Sequence, residues 1–377
     1  MPMKTIGLAL VFATAASIGV ADASPIYQVN PLKNLNGFSD GLAMNDSGQV
    51  TGVSVGADLA VITDANGANL RTLGSLGSGH SVGFAINNSG QVAGNSQPTN
   101  GSFDHAFITD PGGANLRDLG HLGGNFAVVG GINAGGQVVG TSSIANGKSH
   151  AFITGANGNG MRDLGTLGGD VSSAFAINDK GQATGTAATA ANQNHAFIAT
   201  ADAGGVHMAD LGTLKGGNFS VGRAINASGR VAGTSDISGG KQHAFLTGAD
   251  GANMMDLGTL GGDFSEALGI NDDGFVVGDS LTSGQEAHAF LFDGTTMLDL
   301  NNLIDPSDPL FNDLILEKAL DINDDGQILV SGSLRSDRTP LTFLLTLEDV
   351  TDVPEPASLL LLAGSAVGLG WSRRRRA

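Results

Sequence analysis

Residues 131–167 read GINAGGQVVGTSSIANGKSHAFITGANGNGMRDLGTL, and their reading decides the fold. An apolar run ends at Ile132-Asn133, Gly136 closes a turn, and Val138-Val139-Gly140, His150-Ala151-Phe152-Ile153 and Met161-Arg162-Asp163-Leu164-Gly165 follow. The turn is that of a hairpin. Asn or Asp leading to Gly between β-branched residues supplies the positive φ of a tight reversal, which glycine adopts without a Cβ clash. Every apolar run is short and every gap contains Gly, so the unit reads as four short strands with no room for a helix.

The anchor asparagine returns as Asn45, Asn87, Asn133, Asn178, Asn226, Asn271 and Asn323, at intervals of 42 to 52 residues. Each has a glycine three positions on: Gly48, Gly90, Gly136, Gly181, Gly229, Gly274 and Gly326. A four-stranded unit of this period has the length of a propeller blade, whereas one coil of a β-helix is about half as long. The expected fold is all-β: a seven-bladed β-propeller of four-stranded blades.

The first and last repeats are complementary fragments. Tyr27 to Leu35, with Leu32 and Leu35 spaced like Leu257 and Leu260, resembles the fourth strand of a unit and precedes the first anchor. At the other end, Ala319 to Asn323, Gln327 to Val330 and Thr342 to Val350 supply three strands, and no Asp-Leu-Gly strand follows them. The N-terminal strand is therefore expected to complete the last blade, a latch that hides two strand edges and that only a closed ring needs.

Residues 1–23 have the form of a secretory signal: Lys4, an apolar stretch from Ile6 to Val20, and Ala21-Asp22-Ala23 as a cleavage site between Ala23 and Ser24. The ring is expected over residues 24–350 and a distinct tail over 351–377. Counted over 24–356, 13 basic residues stand against 35 acidic ones, a balance of −22 that repels nucleic acid and anionic membrane surfaces. The chain has no cysteine, so disulfides and thiolate metal sites are excluded, and stability must come from packing between repeats.

The triplet His-Ala-Phe recurs at His105, His150, His195, His243 and His288. Blades stack about 10 Å apart, too far for equivalent histidines to share an ion held at roughly 2 Å. They are expected instead to be structural, each imidazole bonded within its own blade, with Asp118, Asp163, Asp210, Asp256 and Asp299 as candidate partners. The triplets, the Asp-Leu-Gly-Thr-Leu-Gly-Gly runs and the Ile-Asn turns together resemble the HAF-family extracellular repeat over nearly all of residues 32–345. The first unit departs with Leu59-Ala60-Val61 and the last with Leu341-Thr342-Phe343. The resemblance implies a secreted bacterial repeat protein and brings no catalytic residues with it.

Val353-Pro354-Glu355-Pro356, the apolar run from Ala357 to Trp371, and Arg373, Arg374, Arg375 and Arg376 are similar to the PEP-CTERM sorting signal. Two prolines keep the motif extended. The apolar run, as a helix, would insert transiently in a membrane with the arginines on the cytoplasmic side. By resemblance, an exosortase-type membrane protease recognises Pro354, Glu355 and Pro356 in the inner membrane of a Gram-negative bacterium, then releases or attaches the body at the cell surface.

Other motifs are weaker. Gly278-Asp279-Ser280-Leu281 spells a GDSL hydrolase motif, but the same repeat position reads Gly140-Thr141-Ser142 and Gly233-Thr234-Ser235, so the serine belongs to the unit. Asn271-Asp272-Asp273-Gly274 and Asn323-Asp324-Asp325-Gly326 lack the spacing and closing Glu of a calcium loop and read as hairpin turns. Gly74 to Gly79 has neither the lysine nor the helix of a phosphate loop. His80, His121 and His207 stand outside the triplets, in loop regions of different blades.

The expected function is that of a secreted, non-enzymatic matrix or interaction scaffold without metal or cofactor, with extracellular polysaccharide as a candidate partner. The alternatives are a polysaccharide lyase or hydrolase on the same ring, or a sugar- or calcium-binding lectin. An enzyme would break the repeat symmetry at one place; a lectin would use equivalent loops.

Overall fold

The computed structural model describes residues 26–32, 43–54, 56–99 and 104–347. The signal segment with Ala23 and Ser24, and the tail with Pro354, Glu355, Pro356 and Arg373 to Arg376, lie outside them. The quoted stretch falls into one antiparallel sheet, Gly123–Ile132, Val138–Ile144, Ser149–Thr154 and Met161–Gly165, in chain order. Seven such blades follow one another, beginning with Ala43–Met44, Val50–Val53, Ala60–Ile62 and Arg71–Gly74. The first strands of neighbouring blades touch all the way round, and that of blade 1 reaches Leu314–Ile322 of blade 7, so the seven first strands surround a central axis.

Two glycines of the unit are fixed by different causes. Gly136 has a φ of 68°, and all six equivalents are also positive, as the hairpin turn requires. Gly140 is needed for close approach, because a Cβ there would lie 2.0 Å from the Val128 carbonyl oxygen and against the Phe152 ring. That ring is the aromatic of the His-Ala-Phe triplet. Phe107, Phe152, Phe197, Phe245 and Phe290 are all fully buried, with the alanine before each buried as well, since both faces of a blade are covered by its neighbours. Val61 and Phe343 fill the same place in the two divergent units, which lose the histidine and keep the packing.

Blade 7 consists of Leu314–Ile322, Ile328–Leu334 and Pro340–Leu347, and its fourth strand is Tyr27–Pro31, paired antiparallel with Pro340–Leu347. The latch strand pairs through Pro31, and Leu32 carries the pairing one residue further by donating its N–H to the Thr342 carbonyl at 2.9 Å; Leu35, where the sequence reading ends the strand, lies outside the described residues. Its outer edge is not left open. Tyr27 donates its N–H to the Leu303 carbonyl at 2.8 Å, and the Asp308 carboxylate accepts from the Val29 N–H at 3.0 Å. The longest interval between anchors, 52 residues, holds this segment, so the extra length covers the latch.

The closing seam also carries a buried carboxylate. Asp321 stands where other blades have Ala43, Ala85, Gly131, Ala176, Ala224 and Gly269. It accepts from the Met44 N–H at 3.0 Å and the Ile322 N–H at 2.9 Å, tying blade 7 to the first strand of blade 1. Burial pushes its pKa up to about 6, against the pull of these two amides. A raised carboxyl pKa means that the folded state holds a proton the unfolded chain has lost, so stability falls as pH rises from about 4 to about 6 and is level above. Asp321→Asn is expected to remove about 2–3 kcal/mol of that fall, at 1.36 kcal/mol per pK unit. Chemical denaturation of both proteins at pH 4, 5, 6 and 7 checks this; identical pH profiles would rule the assignment out.

Candidate functional site

The anchor asparagines turn out to be more than turn residues. Each is buried, and its Nδ2 donates to the backbone carbonyl of the anchor in the next blade: Asn45 to Asn87 at 3.1 Å, Asn87 to Asn133 at 3.0 Å, Asn133 to Asn178 at 3.1 Å. The series continues from Asn178 to Asn226 at 2.9 Å, Asn226 to Asn271 at 3.1 Å and Asn271 to Asn323 at 3.3 Å, and Asn323 returns to Asn45 at 3.2 Å. Seven side chains thus form a closed circle around one mouth of the ring. Four of the next residues are Asp46, Asp179, Asp272 and Asp324, whose carboxylates accept amide N–H groups of adjacent blades. This mouth is acidic, and burial together with Asp272, Asp46 and Asp273 raises the Asp324 pKa.

The five triplet histidines do not meet. Each Nδ1 lies on the aspartate of its own blade's fourth strand, at 2.8 Å for His105–Asp118 and His150–Asp163, 2.9 Å for His195–Asp210 and His243–Asp256, and 2.7 Å for His288–Asp299. The aspartates are themselves held by backbone amides, as Asp163 is by the Gly165 N–H at 2.7 Å. Such a pair fixes the ring and locks the third strand to the fourth. His80, His121 and His207 are exposed and dispersed, but only His121 lies in a loop, since His80 is on the strand Gly77–Ile86 and His207 on Gly205–Gly212; the His121 Nδ1 accepts from the Gly123 N–H at 3.1 Å, and its ring stands edge-on to His105 with centroids 6.1 Å apart. Among the described residues, no group of three or more His, Cys, Asp or Glu could hold a metal ion.

Ser280, the serine of the GDSL string, is fully buried, accepts from the Leu260 N–H at 2.9 Å and donates to the Phe264 carbonyl at 3.1 Å. Ser142 and Ser235 make the same two bonds. The unusual residue of that string is its neighbour, Asp279. Glu266 faces it across the strand pair, in columns that elsewhere hold Val128 and Thr141, or Val221 and Thr234.

Glu266, Arg223 and Lys318 lie on the first strands of blades 6, 5 and 7. The Arg223 guanidinium meets Glu266 Oε1 at 3.0 Å and lies 5.1 Å from the centre of the Phe175 ring of blade 4. Lys318 Nζ lies 3.4 Å from both Glu266 Oε2 and Asp279 Oδ1. Burial raises the Asp279 pKa to about 6, opposed by Lys318 and reinforced by Glu266. Burial works against the charge on Lys318, yet the two carboxylates outweigh it and raise its pKa. The four groups balance in charge, and both cations, carried by first strands of neighbouring blades, are half-exposed. Here, as at Asp321, the repeat symmetry breaks. Setting the repeats in columns would have revealed it, since Glu266, Lys318 and Asp279 stand in columns that elsewhere hold Val82, Val128 and Ser173 or Thr141, Thr186 and Thr234, and Arg223 stands in that of Phe84, Gly130, Phe175 and Leu268.

These features define a closed β-propeller. The PEP-CTERM protein-sorting motif matches residues 352–376, which marks an exported protein handled by exosortase at the membrane. In structure the chain resembles the acylaminoacyl peptidase of Pyrococcus horikoshii, with 10% identity over 89% of this chain and 54% of that one and a TM-score of 0.51. The β-propeller domain of the Trilobed protease from Pyrococcus furiosus gives 10% identity, coverage of 87% and 99%, and a TM-score of 0.49. TolB from Acinetobacter baumannii gives 15%, 81% and 67%, and 0.46. At these identities the likeness shows the fold alone. Among curated protein sequences, none matches this chain.

Proposed function

We propose that the protein is a secreted, non-enzymatic HAF-repeat propeller, sorted by its tail to the cell envelope or the extracellular polysaccharide matrix, where it serves as a structural or interaction scaffold. The supporting observation is where the repeated polar chemistry goes. Histidines, aspartates, serines and asparagines that recur from blade to blade are engaged with each other or with the backbone, which fits a repeat whose polar chemistry maintains a rigid ring. Replacing Pro354, Glu355 and Pro356 together by Ala is expected to leave the tail uncut and the protein in the membrane fraction. Mass spectrometry of the mature C-terminus checks this, and an unchanged terminus would reject the sorting role.

The charged group around Glu266 favours a second reading, a polysaccharide-acting or sugar-binding site at the axis of blades 5 to 7. It breaks symmetry at one place, as a dedicated site does. Under this reading, Lys318→Ala loses at least tenfold in binding or turnover of acidic oligosaccharides by the purified body. Equal affinity and equal product formation in parent and variant would remove it.

A further inference from the structure

The two ends of the described chain leave the ring at one corner. Tyr27 pairs directly with Leu347, so the first residue of the latch and the last residue of blade 7 lie side by side. This corner is on the asparagine-circle side. A Cβ on Gly326, in the turn after Asn323, would lie 3.0 Å from Leu347 Cδ1. Two large apolar side chains stand exposed there, Ile26 and Leu347, each 42% accessible. Between Leu347 and Pro354 lie residues 348–353, six residues that span about 20 Å at full extension. A membrane protease acting on Pro354-Glu355-Pro356 must therefore work within that distance of the folded body.

We propose that the exosortase-type protease docks on this corner, with Ile26 and Leu347 as its apolar contacts, and so engages the closed ring as well as the tail motif. The inference rests on the sorting role given above. The corner fits a protein better than a bare lipid surface. Asp46, Asp324 and Asp325 stand on the same side in blades 1 and 7, where anionic headgroups would be repelled and a basic rim beside an apolar contact would be attracted. Because the latch strand forms half of the corner, the contact exists only once the ring has closed. Processing is then limited to folded protein.

The test follows conversion of uncut to cut chain by pulse-chase in cells that process the parent. The double variant Ile26→Asp with Leu347→Asp, at native spacing, is expected to be cut at least about fivefold more slowly, the loss typical of removing a central apolar contact. Inserting twelve Gly/Ser residues between Val350 and Thr351 is expected to slow the parent toward the rate of the double variant and to leave the two equal when both carry it, since a long tether no longer holds the corner against the protease. Cutting of the double variant at the parent rate would overturn the proposal. So would a double variant that, with the insertion, is still cut more slowly than the parent with the insertion, which would point to folding or export, and so would a change in oligomeric state with unchanged cutting, which would make the corner an interface between two copies. If the Pro354, Glu355 and Pro356 triple variant is cut like the parent, the sorting role fails, whatever the corner does.

Discussion

Deleting residues 24–31 is expected to unfold the ring or drive it into aggregates. The latch strand buries Tyr27 and Val29 against Leu303, Ile304 and Leu345, and burying side chains of this kind contributes roughly 1.5–3 kcal/mol each. The ladder with Pro340–Leu347 and the bonds to Leu303 and Asp308 are lost at the same time. Together these approach the whole stability of an ordinary domain, about 5–15 kcal/mol. What remains would expose the edge of Pro340–Leu347 along its length, a template for pairing with another chain. Size-exclusion chromatography and thermal melting decide the matter. A monomer melting like the parent would mean that blade 7 stands on three strands and that closure lies elsewhere.

Asn178→Ala should have the next largest effect, although it removes only a carboxamide. The Asn178 Nδ2 donates to Gln182 Oε1 at 2.7 Å and to the Asn226 carbonyl at 2.9 Å, while Oδ1 accepts from the Gln182 and Lys180 N–H groups at 3.0 and 3.1 Å. The residue is 5% exposed, so water cannot readily replace these partners. Leaving buried groups unpaired costs about 1–3 kcal/mol each, which puts the expected loss at about 3–4 kcal/mol after partial relaxation. Asn178→Asp should be no better, because a carboxylate has no N–H to give the carbonyl of Asn226 and would oppose it. Exposed Asn146 offers a control whose replacement by Ala should shift stability by less than about 0.5 kcal/mol. Urea denaturation of the three variants checks the order. Equal midpoints for Asn178→Ala and Asn146→Ala would show that the circle contributes nothing to stability.

A repeat is the sequence's own record of packing, and that is why so much was legible. The Asn-to-Gly spacing, the glycine at position 140 and the buried Phe152 are local demands of one blade, repeated because each blade meets the same neighbours. The split between Tyr27–Pro31 and Pro340–Leu347 could be read because a missing fourth strand at one end and a surplus one at the other are visible without coordinates. The aspartate beside each histidine could also be named, since strands three and four are joined by a short turn that keeps the pair only 11 to 15 residues apart. The 300–313 segment over the latch was not legible, because its sequence carries no strand pattern and its partner lies at the opposite end of the chain.

By itself the sequence determined the number of blades, the strand order within each, the closing strand and the sorting motif, all of which depend on periodicity or on contiguous residues. Tertiary structure alone decided what the asparagines and the lone charges do. Asn323 bonds to Asn45 across 278 positions, and Glu266 draws Arg223 and Lys318 from the blades on either side. Such contacts depend on the rotation of one blade against the next, and no pattern within a single repeat encodes that angle. It is set where the Phe and Ala faces of two sheets come to rest, and only then do a carboxamide and a carbonyl some 45 residues apart arrive within hydrogen-bonding distance.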